Sequence, residues 1–188
     1  MKGKNFSTNN TGKRKKSDLY ETPYSMTEKL LERENFISPV LECACGNGAI
    51  VRILSKRGYT VNAFDEDVNF LSYTTQHHSI ITNPPYSLAF EFILHAKEIA
   101  TGKIAMLLPL SYLHGKQRFD AIWNDTAFPL KTIYVFTRYP MLGEPLREDG
   151  KYHTGMMVYA WYIWDKNHIG AATIQWIDNN EDVIKTKG

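Results

Sequence analysis

Cysteine is scarce in this sequence, and long apolar runs are missing. The two cysteines, Cys43 and Cys45, stand two residues apart. On one strand-like segment they point the same way and are poorly placed to bond each other. Without a second ligand pair they also make a poor zinc site, so no metal is expected. A reducing cytoplasm is the natural compartment. No apolar stretch approaches the roughly 20 residues of a membrane span. The N-terminus lacks the apolar centre of a secretory signal. It lacks acids as well: residues 1–16 hold Lys2, Lys4, Lys13, Arg14, Lys15 and Lys16 and no Asp or Glu. The chain as a whole is +2, which leaves the remainder at −4. A basic arm on a mildly acidic body suits contact with nucleic-acid phosphates, and a solvated tail reads the same way.

What is present organises into one domain. Residues 1–17 are polar and read as a disordered basic tail, whereas 18–188 hold enough apolar residues for a single core. Ser25 or Thr27 can cap a helix through Arg33, which Ser38-Pro39 ends. Val40 to Ala44 reads as a short buried strand, Ala49 to Lys56 as a helix closed by Gly58, and Thr60 to Asp65 as a second strand. Ser79 to Thr82 is a third strand. Apolar positions Leu88, Phe92, Ile93, Ala96, Ile99 and Ala100 recur at helical spacing. Ile104 to Leu110 is a further strand, 116–124 is helical, and Thr132–Thr137 and Met156–Trp164 are two late strands. His77-His78 reads as an exposed loop pair, and Trp161, Tyr162 and Trp164 as core packing. This alternation predicts an α/β fold: a Rossmann-like, doubly wound, mostly parallel sheet with a C-terminal antiparallel hairpin at one edge.

Three segments carry chemistry. In the first, Glu42-x-x-x-Gly46-x-Gly48 lies between a strand and a helix, where glycines let the backbone turn sharply and approach a ligand. The full G-x-G-x-x-G of dinucleotide enzymes is absent, because position 51 is Val. The acid four residues before Gly46 can face a ligand's ammonium group. Second, Asp65 ends a strand, the place where open α/β sheets hold ribose hydroxyls. Third, Asn83-Pro84-Pro85-Tyr86 follows a strand directly. The two prolines fix two φ angles and remove two N–H groups. The Asn83 side chain and the Pro84 carbonyl then form rigid, converging acceptors for an amino group with two donors. Tyr86 supplies a flat face for a base.

These residues resemble the class I S-adenosylmethionine-dependent methyltransferases. They look more narrowly like the DNA N6-adenine methyltransferases, including small phage-type enzymes. The catalytic motif (D/N/S)-P-P-(Y/F/W) is matched by Asn83, Pro84, Pro85 and Tyr86, and the cofactor motif (D/E)-x-x-x-G-x-G by Glu42, Gly46 and Gly48, with Ala44 between them in the expected cofactor set. Tyr20-Glu21-Thr22-Pro23 is similar to the aromatic-x-T-P segment that folds over the cofactor's methionine end, so Tyr20, Thr22 and Pro23 join the expected cofactor set. Asp65 matches the ribose-binding acid. Asn69-Phe70-Leu71 is similar to the D-F-L segment that contacts the cofactor's adenine, with Asn in place of Asp, so Asn69 and Phe70 join the expected cofactor set. The resemblance covers roughly residues 18–166. It implies S-adenosylmethionine as cofactor without a metal, and methylation of a flipped-out adenine in DNA. RNA adenine stays open as the acceptor, as do a protein glutamine and a non-catalytic subunit role. The short spacing from Asp65 to Asn69 implies that one helix is missing after the second strand. No separate target-recognition domain is visible. Recognition would fall to Lys13, Arg14, Lys15 and Lys16, to Arg138, Arg147 and Lys151 in the late loop, or to a partner subunit or homodimer. The expected location is a bacterial or phage-infected cytoplasm.

Overall fold

A computed structural model describes residues 22–65, 67–138, 140, 155 and 157–179. Its frame is a seven-stranded sheet: β1 (Val40–Glu42), β2 (Val61–Ala63), β3 (His77–Thr82), β4 (Ala100–Pro109), β5 (Leu130–Phe136), β6 (Tyr159–Asp165) and β7 (Thr173–Ile177). The spatial order is β2-β1-β3-β4-β6-β5-β7. β6 runs antiparallel to both β4 and β5, and every other pairing is parallel. The carboxyl ends of β1 to β4 therefore share one edge, and Tyr159, opposite Pro109, brings the start of β6 to the same edge.

Period-two alternation divides the core between the two faces. Ile80 and Met106 face α3 (Ala89–Ile99), whose Phe92, Ile93 and Ala96 cover them. Ile81 and Leu107 face the other way, toward Met26 and Leu30 of α1 (Tyr24–Leu31) and Ile50 and Leu54 of α2 (Ala49–Lys56). Strands covered on both faces need continuous apolar runs, and Ile104–Leu108 of β4 and Ala160–Trp164 of β6 are wholly buried. Trp161, Tyr162 and Trp164 are thus core residues, as their run implied. Trp161 Nε1 donates to the Met26 carbonyl at 2.9 Å and pins α1 to the sheet.

Between β2 and β3 the described residues hold only a 3₁₀ turn, Phe70–Ser72, where a helix was expected to be missing. The predicted helix at 116–124 is a three-residue turn, Lys116–Arg118, that continues as a π-helical turn, Phe119–Trp123. β7 lies outside the β5–β6 hairpin and was not anticipated, because four of its five residues are exposed and leave no burial pattern to read. The expectation for His77-His78 requires correction. His77 opens β3 at 5% exposure, with Nε2 3.0 Å from the Tyr73 hydroxyl. The His78 ring lies over Gly102, where a Cβ would collide with it. At the amino end of the sheet, buried Glu34 receives Lys103 at 2.6 Å, Lys131 at 2.8 Å and the Tyr134 hydroxyl at 3.0 Å. No helix of the described residues is long and apolar enough to cross a membrane.

Candidate active site

The loop after β1 is shaped by its glycines. Gly46 and Gly48 have φ of 47° and 76°, left-handed values that cost a side chain energy but cost glycine little. The Gly48 N–H closes the turn on the Cys45 carbonyl at 2.7 Å, and Cys45 N–H reaches the Phe64 carbonyl at 3.1 Å. The loop is thereby tied to the end of β2, next to Asp65.

Glu42 is completely buried at the base of this loop. Its Oε1 accepts the Ala44 N–H at 3.0 Å. Its Oε2 has no hydrogen-bond partner among the described residues. Burial, reinforced by the charge of Asp65, raises its pKa to about 8. Thr82 and the Ala44 N–H pull the other way, and the Thr82 hydroxyl makes no hydrogen bond of ordinary geometry among the described residues. A buried carboxyl with one oxygen unsatisfied suits a cationic ligand group, whose arrival would stabilise the ionised form.

β1 and β3 are neighbours, with Leu41 opposite Ile80, so the residues that follow Thr82 emerge beside Glu42. Pro84 is buried, and Asn83, Pro85 and Tyr86 are half-buried. Leu88 N–H bonds the Pro85 carbonyl at 2.9 Å and closes a 3₁₀ turn, Tyr86–Leu88, that leads directly into α3. Asn83 Nδ2 donates to Thr22 Oγ1 at 3.0 Å. Thr22 is 4% exposed and Pro23 is buried. The Thr-Pro segment and the Asn-Pro-Pro loop, 61 residues apart, are thus one unit. The Tyr86 ring meets Tyr159 at the start of β6, with centroids 5.7 Å apart and planes at 35°. Neither the Thr22 contact nor Tyr159 was foreseen. The aromatic opening the last long strand was the available signal for Tyr159.

The remaining predicted residues fall as follows. Asp65 is half-buried, and its N–H is held by Asp67 Oδ1 at 3.1 Å. Exposed Asn69 uses its Oδ1 to cap the 3₁₀ turn through Leu71 N–H at 3.1 Å. Phe70 is 2% exposed and packs on Phe92 at 4.8 Å and edge-on to His95 at 5.0 Å. Its ring belongs to the core and holds this loop down. Arg138 leaves β5 at the same edge, its backbone held by Asn179 at 3.2 and 2.9 Å. Tyr20, Lys13, Arg14, Lys15, Lys16, Arg147 and Lys151 lie outside the described residues. Among the described residues, no three His, Cys, Asp or Glu side chains gather as metal ligands.

No family model matches the sequence, and no curated protein matches it. Solved structures do match. A modification subunit of a type I restriction enzyme from Vibrio vulnificus YJ016 superposes with a TM-score of 0.56 at 13% identity, over 84% of this chain and 46% of that one. The M protein of type I restriction enzyme EcoKI gives 0.54 at 14%, over 87% and 49%. A protein assigned as a class I S-adenosylmethionine-dependent methyltransferase from Listeria monocytogenes gives 0.52 at 12%, over 86% and 68%. The chain spans about half the length of the two modification subunits. It has the fold of the class I S-adenosylmethionine-dependent methyltransferases.

Proposed function

We propose that this protein is an S-adenosylmethionine-dependent methyltransferase acting on the N6 amino group of adenine in DNA. One observation carries the reading: Asn83-Pro84-Pro85-Tyr86 opens at the carboxyl edge of the sheet beside Glu42 and the glycine loop, with Asn83 fixed by Thr22. The buried, half-satisfied carboxyl of Glu42 fits the ammonium group of the cofactor's methionine end. Gly46 and Gly48 allow close backbone approach, and Asp65, just after β2, is the residue proposed to accept from ribose hydroxyls. When bound, the cofactor supplies a methyl group activated on a sulfonium.

The chain's own residues prepare the acceptor. Asn83 Oδ1 and the Pro84 carbonyl accept the two amino hydrogens of the base, which draws its nitrogen lone pair out of conjugation. Tyr86, backed by Tyr159, stacks the ring. That nitrogen is thereby presented to the methyl group that the cofactor would supply, and the amino group would release one proton to water. Positioning and electrostatics supply the rate, and no strong base is needed. A base in a duplex must be flipped out to reach this loop.

The DNA assignment draws on the two restriction-enzyme modification subunits among the fold neighbours. It also draws on the basic arm. Lys16 is six residues from Thr22, so it stays within about 20 Å of the Asn83 contact. Sequence recognition falls to that arm, to the loop after Arg138, or to a partner subunit or second copy.

The test is methyl transfer from tritiated cofactor to duplex DNA, single-stranded DNA, RNA and protein, with Asn83→Ala as control. Label recovered as N6-methyladenine in DNA, and lost in Asn83→Ala, is the expected result. Label in RNA or protein alone would reassign the acceptor. Full activity in Asn83→Ala would remove the loop from the mechanism.

A further inference from the structure

The hydrogen bond between Thr22 and Asn83 joins two residues of the same unusual kind. Each stands directly before a proline, Pro23 and Pro84. A following proline drives a residue's backbone out of the helical region and into extended conformations. Both partners are therefore restricted before they meet, and their contact orders little that is not already ordered. The supports behind them are rigid too. The Pro23 carbonyl accepts Met26 N–H at 3.0 Å and opens α1. Met26 is fully buried, and its own carbonyl is held by Trp161 of β6 at 2.9 Å. Thr22 is thus fastened to the middle of the sheet through one turn of helix.

An asparagine amide has chemically opposite ends, and its terminal torsion has a broad, two-fold preference. In an acceptor loop the orientation decides the outcome. Oδ1 toward an amino group makes a hydrogen bond, whereas Nδ2 toward it sets donor against donor. In this structure Nδ2 donates to Thr22 Oγ1 at 3.0 Å, so the hydroxyl acts as acceptor and Oδ1 lies on the other side of the amide.

We propose that Thr22 is a positioning residue for methyl transfer: by accepting from Asn83 Nδ2 it anchors the side chain whose Oδ1 accepts from the acceptor amino group. The inference rests on the methyltransferase reading above and adds a residue to it. The segment expected to cover the cofactor also sets the acceptor half of the site, which links the two halves through one side chain.

Three full-length proteins test this: wild type, Thr22→Val and Thr22→Ser. Valine keeps the β-branched shape and removes the hydroxyl; serine keeps the hydroxyl. Thr22→Val should lower kcat about tenfold at saturating cofactor, the size expected for one net hydrogen bond. Cofactor affinity by calorimetry should stay within about twofold, and Thr22→Ser should recover most of the rate. A loss of cofactor affinity with kcat unchanged would make Thr22 a cofactor ligand only and overturn the proposal, as would no change in either quantity. A second readout needs no turnover. The Asn83 side-chain amide protons, assigned by NMR from their loss in Asn83→Ala, should exchange slowly with water in wild type and in Thr22→Ser, and quickly in Thr22→Val. Equal exchange in all three overturns the proposal. Slow exchange in a wild-type protein that methylates no adenine would leave the positioning role intact and remove the proposed acceptor instead.

Discussion

Tyr159, 6% exposed in the core, presents its ring to Tyr86 with the centroids 5.7 Å apart. The half-buried Tyr86 ring, proposed to stack the acceptor base, is therefore backed by β6. Tyr159→Leu keeps apolar bulk but loses the aromatic pair. Such pairs contribute about 0.5–1.5 kcal/mol beyond their area. The expected outcome is a KM for the oligonucleotide raised roughly two- to tenfold, with cofactor affinity unchanged, measured by steady-state methyl transfer. Tyr159→Phe should behave as wild type; if Tyr159→Leu does so too, the backing ring is idle.

Glu42 opposes stability to binding. Its folded pKa of about 8 lies above the ordinary carboxyl value of 4.5, because burial disfavours the charge. A raised pKa contributes stability that is complete below the unfolded value and lost as pH rises through the folded one. The ligand-free protein should therefore lose Tm between about pH 4.5 and pH 8. Glu42→Gln should flatten that slope and raise Tm above pH 8, while weakening cofactor binding. Ammonium binding beside Glu42 should also expel its proton. Calorimetry at pH 7 in buffers of different ionisation heat should show release approaching one proton in wild type and little in Glu42→Gln. Equal proton release in both proteins would sink the assignment.

Glu34 is the opposite case. Burial alone would raise its pKa, but Lys103 and Lys131 hold it below the usual 4.5. Its stabilisation is present above the unfolded carboxyl value and lost as pH falls through the lower folded one. Breaking such a buried network from one side costs about 3 kcal/mol. Glu34→Gln should lower stability by that order at pH 7, and the gap to wild type should narrow on acidification below pH 4.5. Denaturant unfolding across this range checks it. A gap that stays constant with pH would mean that packing, not charge, is what the substitution removes.

What could be read in advance follows from how local the cause was. The Asn83 loop and the Gly46–Gly48 turn were legible because proline and glycine dictate backbone shape within their own residues. Ile104–Leu108 and Ala160–Trp164 were legible because burial on both faces demands an unbroken apolar run. His77 was misjudged because its burial depends on the Tyr73 hydroxyl, which satisfies the ring from four residues away. β7 left no trace because Ile174 and Trp176 point outward at 50% and 68% exposure. The Thr22–Asn83 bond is a product of topology: Thr22 lies at the edge where β3 ends, and no local pattern encodes that meeting.

The same contact gives the basic arm a testable role. Thr22 touches Asn83, so Lys13, Arg14, Lys15 and Lys16 are tethered within about 30 Å of the acceptor loop, whatever path the chain takes. Cations confined so near a site raise the local concentration of a phosphate backbone without contacting the reacting base. Their removal should therefore appear in binding rather than in chemistry. Replacing all four with serine should raise the KM for DNA and leave kcat nearly unchanged. It should also make the slope of log affinity against log salt shallower, by about 0.9 for each duplex phosphate no longer neutralised or about 0.7 for each single-stranded one. The slope change also reports which form of DNA the arm grips. An unchanged KM together with an unchanged salt slope would show that the arm does not meet the substrate, and recognition would then belong to the loop after Arg138 or to a partner.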